Sequence, residues 1–386
     1  MDKESVEGKN KIPDNFNWRV YIDNYPDLRK NGIDNEEKAK RHWADYGKKE
    51  GRIYNIDSNI LYFFYHIQKT GGTTLRENLK VALQEKLLSL YIDKGFFNNA
   101  REMEKYLEGL SEKDKATLRA VIGHFVSKDR IRYFSRNIRT IVFLRNPADT
   151  LVSFYNHFRR DYETNQKKNL NYFSIFSDSV DVLSFWEWFE KHKKLSSFYC
   201  DLIINGFSEN KGSADNDSDK IKEAKKILED FYFVGITENP MDFLFVYKLL
   251  GIQNIDLSKK HNISTKYFIP DDYEEFRAEI SSKCKLDIEL YEYARELNKK
   301  FKDSDEYKKI VDASSENIFD NLEKRYFNEV PHDFNWKTYL DNYPDLRKNG
   351  IDNEEKARQH WLNYGRKEER IWKKLYNPDP SNLNNP

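Results

Sequence analysis

The sequence predicts an α/β protein: a parallel sheet with helices on both faces, and a small α-helical unit at each end. Three observations carry this. Between about Ser58 and Phe327, short apolar runs alternate with longer amphipathic ones, the pattern of strands joined by crossover helices. The first apolar run passes directly into a glycine turn and a helix, in the stretch His66-Ile67-Gln68-Lys69-Thr70-Gly71-Gly72-Thr73-Thr74. Asp23–Ala39 (DNYPDLRKNGIDNEEKA) recurs letter for letter as Asp341–Ala357.

The repeat divides the chain into residues 1–57, a central domain at 58–327, and residues 328–386. Each copy reads as two short helices. Asn24 is placed to cap the first, with Pro26 in its first turn and Gly32 at its end. Asp34 with Glu37 makes a capping-box-like start to the second. Ala39, Trp43 and Tyr46 share a face of it, and Gly47 stops it ahead of Lys48-Lys49-Glu50. A unit this small buries little apolar surface alone, so the copies are expected to pack on the central domain or on each other. The competing reading is a docking module for glycans or partners, using Trp18, Tyr21 and Trp43 with their counterparts Trp336, Tyr339 and Trp361.

Within the central domain, Ile60–Ile67 reads as a buried strand. Thr73–Leu90 reads as a helix with Leu75, Leu79, Ala82 and Leu83 along one face. Ala120–Ile122, Thr140–Leu144 and Phe231–Gly235 are short strands. Pro147–Arg160, Val182–His192, Pro240–Leu250, Asp271–Lys302 and Asp305–Tyr326 are helical patterns, and Ser208–Asp219 is a polar loop.

Lys plus Arg balance Asp plus Glu at 65 each, so global charge argues neither for nor against a polyanionic partner; no nucleic-acid partner is expected. Cys200 and Cys284 lack a CxxC pattern, which argues against a zinc site or a disulfide framework and leaves a single bridge open. Met1–Asn15 has no apolar core of a signal peptide, and Ile60–Ile67 is too short to span a bilayer. The expectation is a cytoplasmic or otherwise soluble protein with no membrane span. Oligomeric state is not legible.

The glycine turn after the first strand is P-loop-like. Its glycines let the backbone approach a ligand, the open N–H groups of a helix start face an anion, and Lys69 adds positive charge. The hydroxyls of Thr70, Thr73 and Thr74 can donate as well. It departs from the Walker A pattern, in which the lysine follows the last glycine; here Lys69 precedes both. That argues against an ATP phosphotransferase. A second anion site lies in Ile138–Arg160 (IRTIVFLRNPADTLVSFYNHFRR). A strand ends at Arg145, a helix starts at Pro147, and Ser153 lies two turns on. An arginine at the carboxyl end of a parallel strand faces the same crevice as the first loop, and its planar fork suits phosphate.

These two segments resemble a known family. HIQKTGGTT is similar to the 5′-phosphosulfate loop of sulfotransferases that use 3′-phosphoadenosine 5′-phosphosulfate (PAPS), and is closest in appearance to the heparan sulfate 6-O and 2-O enzymes. FLRNPADTLVS resembles their 3′-phosphate motif. The likeness runs from about Ile60 to Phe301, including NIS at 262–264 and LDIELYEYARELNKKF, and leaves out the flanking repeats. It implies the sulfotransferase fold, PAPS as co-substrate with PAP as product, no metal, and a carbohydrate acceptor. It further implies that Gln68, Lys69, Thr70, Gly71, Gly72, Thr73 and Thr74 hold the 5′-phosphosulfate while Arg145 and Ser153 hold the 3′-phosphate.

Sulfuryl transfer to an alcohol requires removal of the acceptor proton and stabilisation of the departing phosphate. Histidine suits the first task. His124, after the apolar Val121-Ile122-Gly123, is the candidate base and matches the family's Gly–His position; a purely structural histidine at a strand end is the alternative. Lys69 is the candidate for the leaving oxygen. His66 reads as a core histidine orienting the loop, His157 as packing or support, and Glu77 as a fallback base. For the acceptor, Lys128, Arg130, Arg132, Arg136, Arg159 and Arg160 can rim the cleft for an acidic polysaccharide or form a solvated surface. Trp186 and Trp188 can stack on sugars or belong to the core. A tyrosine or small-alcohol acceptor, and a catalytically weak glycan-binding protein of the same fold, are the remaining readings.

Overall fold

The computed structural model describes residues 16–50, 60–92, 97–167, 182–209, 216–252, 273–312 and 334–365, with a few single positions between them. The boundaries near 57 and 327, the NIS segment at 262–264 and the stretch 313–326 lie outside the described residues. The chain divides into two compact units, residues 1–269 with 280–316, and residues 270–279 with 317–386.

In the first copy of the repeat, α1 (Trp18–Asn24), α2 (Pro26–Lys30) and α3 (Glu36–His42) follow one another, and α3 runs on into a π-helical turn, Trp43–Gly47. There are three helices where the sequence suggested two, and the caps differ. A capping side chain must reach an amide two or three residues on from an extended backbone. Asn17 does so for α1, accepting from Val20 N–H at 3.2 Å, and Asn35 for α3, accepting from Lys38 N–H at 3.0 Å. Asp34 instead takes the Lys38 ammonium at 2.9 Å. Gly32, at φ +75°, ends α2 in the left-handed region. Gly47 is needed for space, because a Cβ there would lie 2.0 Å from the Tyr21 hydroxyl. Ala39 and Trp43 are buried with Tyr21, but Tyr46 is 59% exposed and leaves the shared face. This copy is tied to the sheet domain by Lys86, which donates to the Asp23 carbonyl at 3.0 Å, and by Arg119, which donates to the Asn24 side chain.

The sheet has five strands: β1 (Ile60–Tyr65), β2 (Leu87–Leu90), β3 (Ala120–Gly123), β4 (Asn137–Leu144) and β5 (Phe233–Ile236), in the order β2-β3-β1-β4-β5 with every pair parallel. All six residues of β1 are buried, as expected of a central strand covered on both faces. The connecting helices α4 (Gly72–Leu83), α5 (Ala100–Gly109), α6 (Glu112–Thr117), α7 (Lys128–Ile131), α8 (Pro147–Lys167), α9 (Phe185–Lys191), α10 (Phe198–Phe207) and α11 (Asp217–Glu229) precede β5. After it come α12 (Pro240–Leu249), α13 (Tyr273–Lys283), α14 (Lys285–Lys302) and α15 (Asp305–Asp312). Leu61, Phe63, Val121, Val142 and Val234 meet α5, α10, α11 and α14 on one face. On the other, Phe143 stacks on Phe243 of α12 at 4.2 Å and Phe233 lies 4.8 Å from Phe245. The expected α/β class is therefore present.

Several boundaries moved. The helix read over Thr73–Leu90 ends at Leu83, and Leu87–Leu90 is an edge strand instead. The reversal is made at Gln84, whose φ of +50° turns the chain. Ala82 is exposed while Leu75, Leu79 and Leu83 face inward. The long pattern over Asp271–Lys302 is two helices broken at Cys284, and α11 begins inside the segment read as a polar loop. Cys200 and Cys284 are both buried free thiols, so no bridge joins them. No helix among the described residues is long and apolar enough to cross a membrane.

In the second unit the later copy folds as α16 (Trp336–Asn342), α17 (Pro344–Lys348) and α18 (Glu354–His360), again running into a π-turn, Trp361–Gly365. Asn335 and Asn353 cap α16 and α18, and Gly365 makes room for Tyr339 as Gly47 does for Tyr21.

Candidate active site

Three sequence-predicted groups, the glycine loop, His124 and Arg145, meet at the carboxyl edge of the sheet, because each directly follows one of the adjacent strands β1, β3 and β4. Beyond β1, the loop of residues 66–71 folds back on itself. Lys69 and Gly71 have φ of +67° and +82°. The hydroxyl of Thr70 turns inward and donates to the Ile67 carbonyl at 2.7 Å, while the Thr70 carbonyl accepts from Thr237 at 3.0 Å. The pair of glycines is a steric requirement. A Cβ on Gly72 would lie 1.9 Å from the His66 ring, and one on Gly71 would lie 2.8 Å from Phe243. Gly71 caps α4 without any side-chain acceptor, so the first amides of the helix, at Gly72, Thr73 and Thr74, open toward the loop mouth. Gln68 is exposed beside them.

His66 is buried under the loop, with Nδ1 2.7 Å from the Tyr91 hydroxyl. Burial, reinforced by His124, Arg76 and Lys69, holds its pKa well below the usual imidazole range. It is therefore a neutral support, as its sequence position suggested. His124 follows β3 and its Nδ1 is 2.6 Å from the His66 carbonyl oxygen. A carbonyl only accepts, so Nδ1 carries the proton and Nε2 is the basic nitrogen of the ring. The two imidazoles are 4.4 Å apart, and the Tyr91 ring is 4.9 Å from His124 at a steep angle.

Arg145 follows β4, and its Nη1 is 3.4 Å from the Lys69 carbonyl. Asn146 then caps α8 by accepting from Ala148 N–H at 3.0 Å. On that helix Asp149, Ser153, His157 and Arg160 are spaced by four, four and three, which lines them up on one face. Arg160 donates to His157 Nδ1 at 2.6 Å and to Asp161 at 3.1 Å. These groups influence one another. The Lys69 ammonium is pushed down to about 8, first by burial and then by Arg160 and Arg145, with Asp161 opposing. His157 is lowered to about 4 by burial and by Lys69, and so stays neutral beside Arg160. Among the described residues neither Lys69 nor Arg145 has a carboxylate within ion-pair distance. Lys69 and Arg145, together with the open helix start, can take an anion.

Sequence reasoning missed two members of the site. Arg160 had been set among the acceptor-rim arginines, yet it bears on Lys69 itself. Glu238, after β5, accepts from Asn146 N–H at 2.7 Å and from the Tyr291 hydroxyl at 3.1 Å; its side chain still reaches solvent, and desolvation by the protein around it pushes its carboxyl up. Only its place after a short strand could have signalled it.

Other candidates are not brought together. Glu77 is paired with Arg76 at 2.7 Å. Lys128 meets Glu209 at 2.6 Å and Arg130 meets Glu104 at 2.7 Å. Arg132 lies 5.9 Å over Tyr133, and Arg159 donates to the Tyr155 hydroxyl at 3.2 Å. Arg136 lies at the opposite, amino edge of the sheet, donating to the carbonyls of Ile60, Leu118 and Lys115. Trp188 is fully buried among Tyr155, Phe158 and Phe185, whereas Trp186 is half-buried beside Lys283.

No curated protein matches the chain. Residues 63–210, which hold the loop after β1, His124, Arg145 and Ser153, match the family model described as the sulfotransferase domain. Around that match lies a five-stranded parallel sheet flanked by helices, consistent with the sulfotransferase fold that the sequence implied.

Proposed function

We propose that the protein is a PAPS-dependent O-sulfotransferase that modifies a hydroxyl of a carbohydrate, with His124 as its base. The observation that carries this is the concentration of Lys69, Arg145 and the uncapped start of α4 at one sheet edge, beside a histidine whose tautomer leaves Nε2 basic. PAPS supplies the sulfuryl group. The amides of Gly71, Gly72, Thr73 and Thr74, with Gln68 and the backbone of Thr70, line the 5′-phosphosulfate cradle. The Lys69 ammonium meets the negative charge that grows on the departing phosphate oxygen, and Arg160 adds to that field. Arg145 and Ser153 hold the 3′-phosphate, which separates PAPS from ATP. His124 Nε2 takes the acceptor proton while Nδ1 stays anchored on the His66 carbonyl, so the ring cannot rotate away.

The carbohydrate acceptor, including an acidic polysaccharide, rests on the likeness of HIQKTGGTT and the Gly–His position to glycan enzymes. The test is transfer of radiolabelled sulfate from PAPS to a panel of neutral polysaccharides, acidic polysaccharides, phenols and tyrosine peptides. Label on a polysaccharide is the expected result. Label on phenol or tyrosine would replace the acceptor class. No label on any, with glycan binding that survives Lys69→Ala, would replace the enzyme by a glycan-binding protein.

A further inference from the structure

Arg145 and Asn146 share one peptide group, and both of its polar ends are gripped. Its carbonyl accepts from the Tyr199 hydroxyl at 2.9 Å, and its N–H donates to Glu238 at 2.7 Å. Each gripping residue is in turn held by α14. Asp287 accepts from the N–H groups of Tyr199 and Cys200 at 2.9 and 3.1 Å, fixing the start of α10. Tyr291 donates its hydroxyl to the second oxygen of Glu238 at 3.1 Å. Asp287 and Tyr291 are four residues apart and so share one face of α14. Tyr199 gives its single proton to the Arg145 carbonyl and therefore accepts from the Thr150 hydroxyl, 2.6 Å away in the first turn of the helix that carries Ser153.

We propose that Asp287–Tyr199 and Tyr291–Glu238 are the two arms of a brace that fixes the 145–146 peptide and thereby aims the Arg145 guanidinium, setting selectivity for a nucleotide with a 3′-phosphate. The four are positioning residues, and the proposal rests on Arg145 as the 3′-phosphate ligand. Two features set the brace apart from ordinary packing. Among the described residues the Arg145 side chain makes one hydrogen bond, the 3.4 Å contact to the Lys69 carbonyl, so its direction depends on its own backbone. A fully buried carboxyl, Asp287, is retained there although burial disfavours its charged form, and a neutral residue would fill the volume at lower cost. Moreover, a lone peptide is satisfied by any donor and acceptor. Here both partners are anchored on one face of a single helix, which fixes the plane of the peptide as well as its hydrogen bonds.

The test is calorimetric titration of the full chain with PAP and with ADP, in wild type and in Tyr199→Phe, Glu238→Ala, Glu238→Gln and Arg145→Ala, with melting recorded for each. Tyr199→Phe and Glu238→Ala are expected to lower the PAP-over-ADP preference by about threefold to tenfold, the worth of one hydrogen bond, with ADP affinity unchanged. Glu238→Gln, whose amide oxygen still accepts from Asn146, should restore the preference. If Arg145→Ala removes the preference while Tyr199→Phe and Glu238→Ala keep it, the brace is overturned and the Arg145 reading stands. If wild type has no preference, both fall. Should Tyr199→Phe fail to fold, the contrast between Glu238→Ala and Glu238→Gln decides alone.

Discussion

The two edges of the sheet treat their cations in opposite ways. At the amino edge, Arg136 is spent on three backbone carbonyls, Arg139 pairs with Glu306 at 2.9 Å and lies 4.1 Å over Tyr232, and Arg119 reaches into the first repeat. At the carboxyl edge, Lys69 and Arg145 sit together without a carboxylate partner among the described residues, and Lys69 is destabilised enough to titrate near 8. The residue types are alike, and what differs is whether the protein supplies the counter-charge. An edge that neutralises its own cations is building the fold. One that leaves Lys69 and Arg145 uncompensated, next to an open helix start, is chemically suited to an anion.

The largest expected effect falls on His124. His124→Ala should lower sulfuryl transfer by about a hundredfold to ten-thousandfold, the range for removing a general base, with PAP affinity kept within about twofold. A variant with full turnover would return His124 to a structural role. Next comes a direct exchange between the edges. Arg145→Ala should weaken PAP binding by at least about tenfold, in line with losing a charge-assisted hydrogen bond, and leave the denaturation midpoint nearly unchanged. Arg136→Ala should do the reverse, costing about 2 kcal/mol of stability for carbonyls left without a donor, with PAP affinity intact. If both variants behaved alike, the contrast between the edges would be wrong.

A pH titration sharpens the same point. In the free protein Lys69 loses its proton above about 8, whereas a bound phosphate favours the charged form and raises its pKa. Binding above pH 8 must therefore take up a proton, and PAP affinity should fall by up to about tenfold per pH unit there. Below pH 8 it should be flat with respect to this group. Lys69→Arg, charged throughout, should remove the slope. The smallest effect is expected of Glu77→Gln. Its ion pair with Arg76 leaves transfer within about twofold of wild type, whereas a true base would cost the full factor given for His124.

The features legible in the sequence were those set by local chemistry. Ile60–Tyr65, the glycine turn, Arg145 at a strand end and Pro147 opening a helix are each written within a few adjacent residues. What escaped was set by distant partners. Leu87–Leu90 carries leucines compatible with either a helix or a strand, and becomes a strand because β3 lies beside it. The caps fell to Asn17 and Asn35 rather than Asn24 and Asp34, because backbone direction at the helix start decides among neighbouring Asx residues. Tyr46 follows the helical spacing of Ala39 and Trp43, but the switch to a π-turn rotates it outward. Glu238 and Arg160 have no motif of their own. They enter the site through β5 and through the length of α8, which only the assembled sheet brings to Arg145 and Lys69.

The central claim is that the carboxyl edge is built for a 3′-phosphorylated nucleotide. It is tested most directly by titrating the wild-type protein, without magnesium, with PAP and in parallel with ADP. Clear preference for PAP that is lost in Arg145→Ala is the predicted result. Equal affinity for both, or binding of neither, would contradict the nucleotide assignment and turn attention to the repeats as the binding surface.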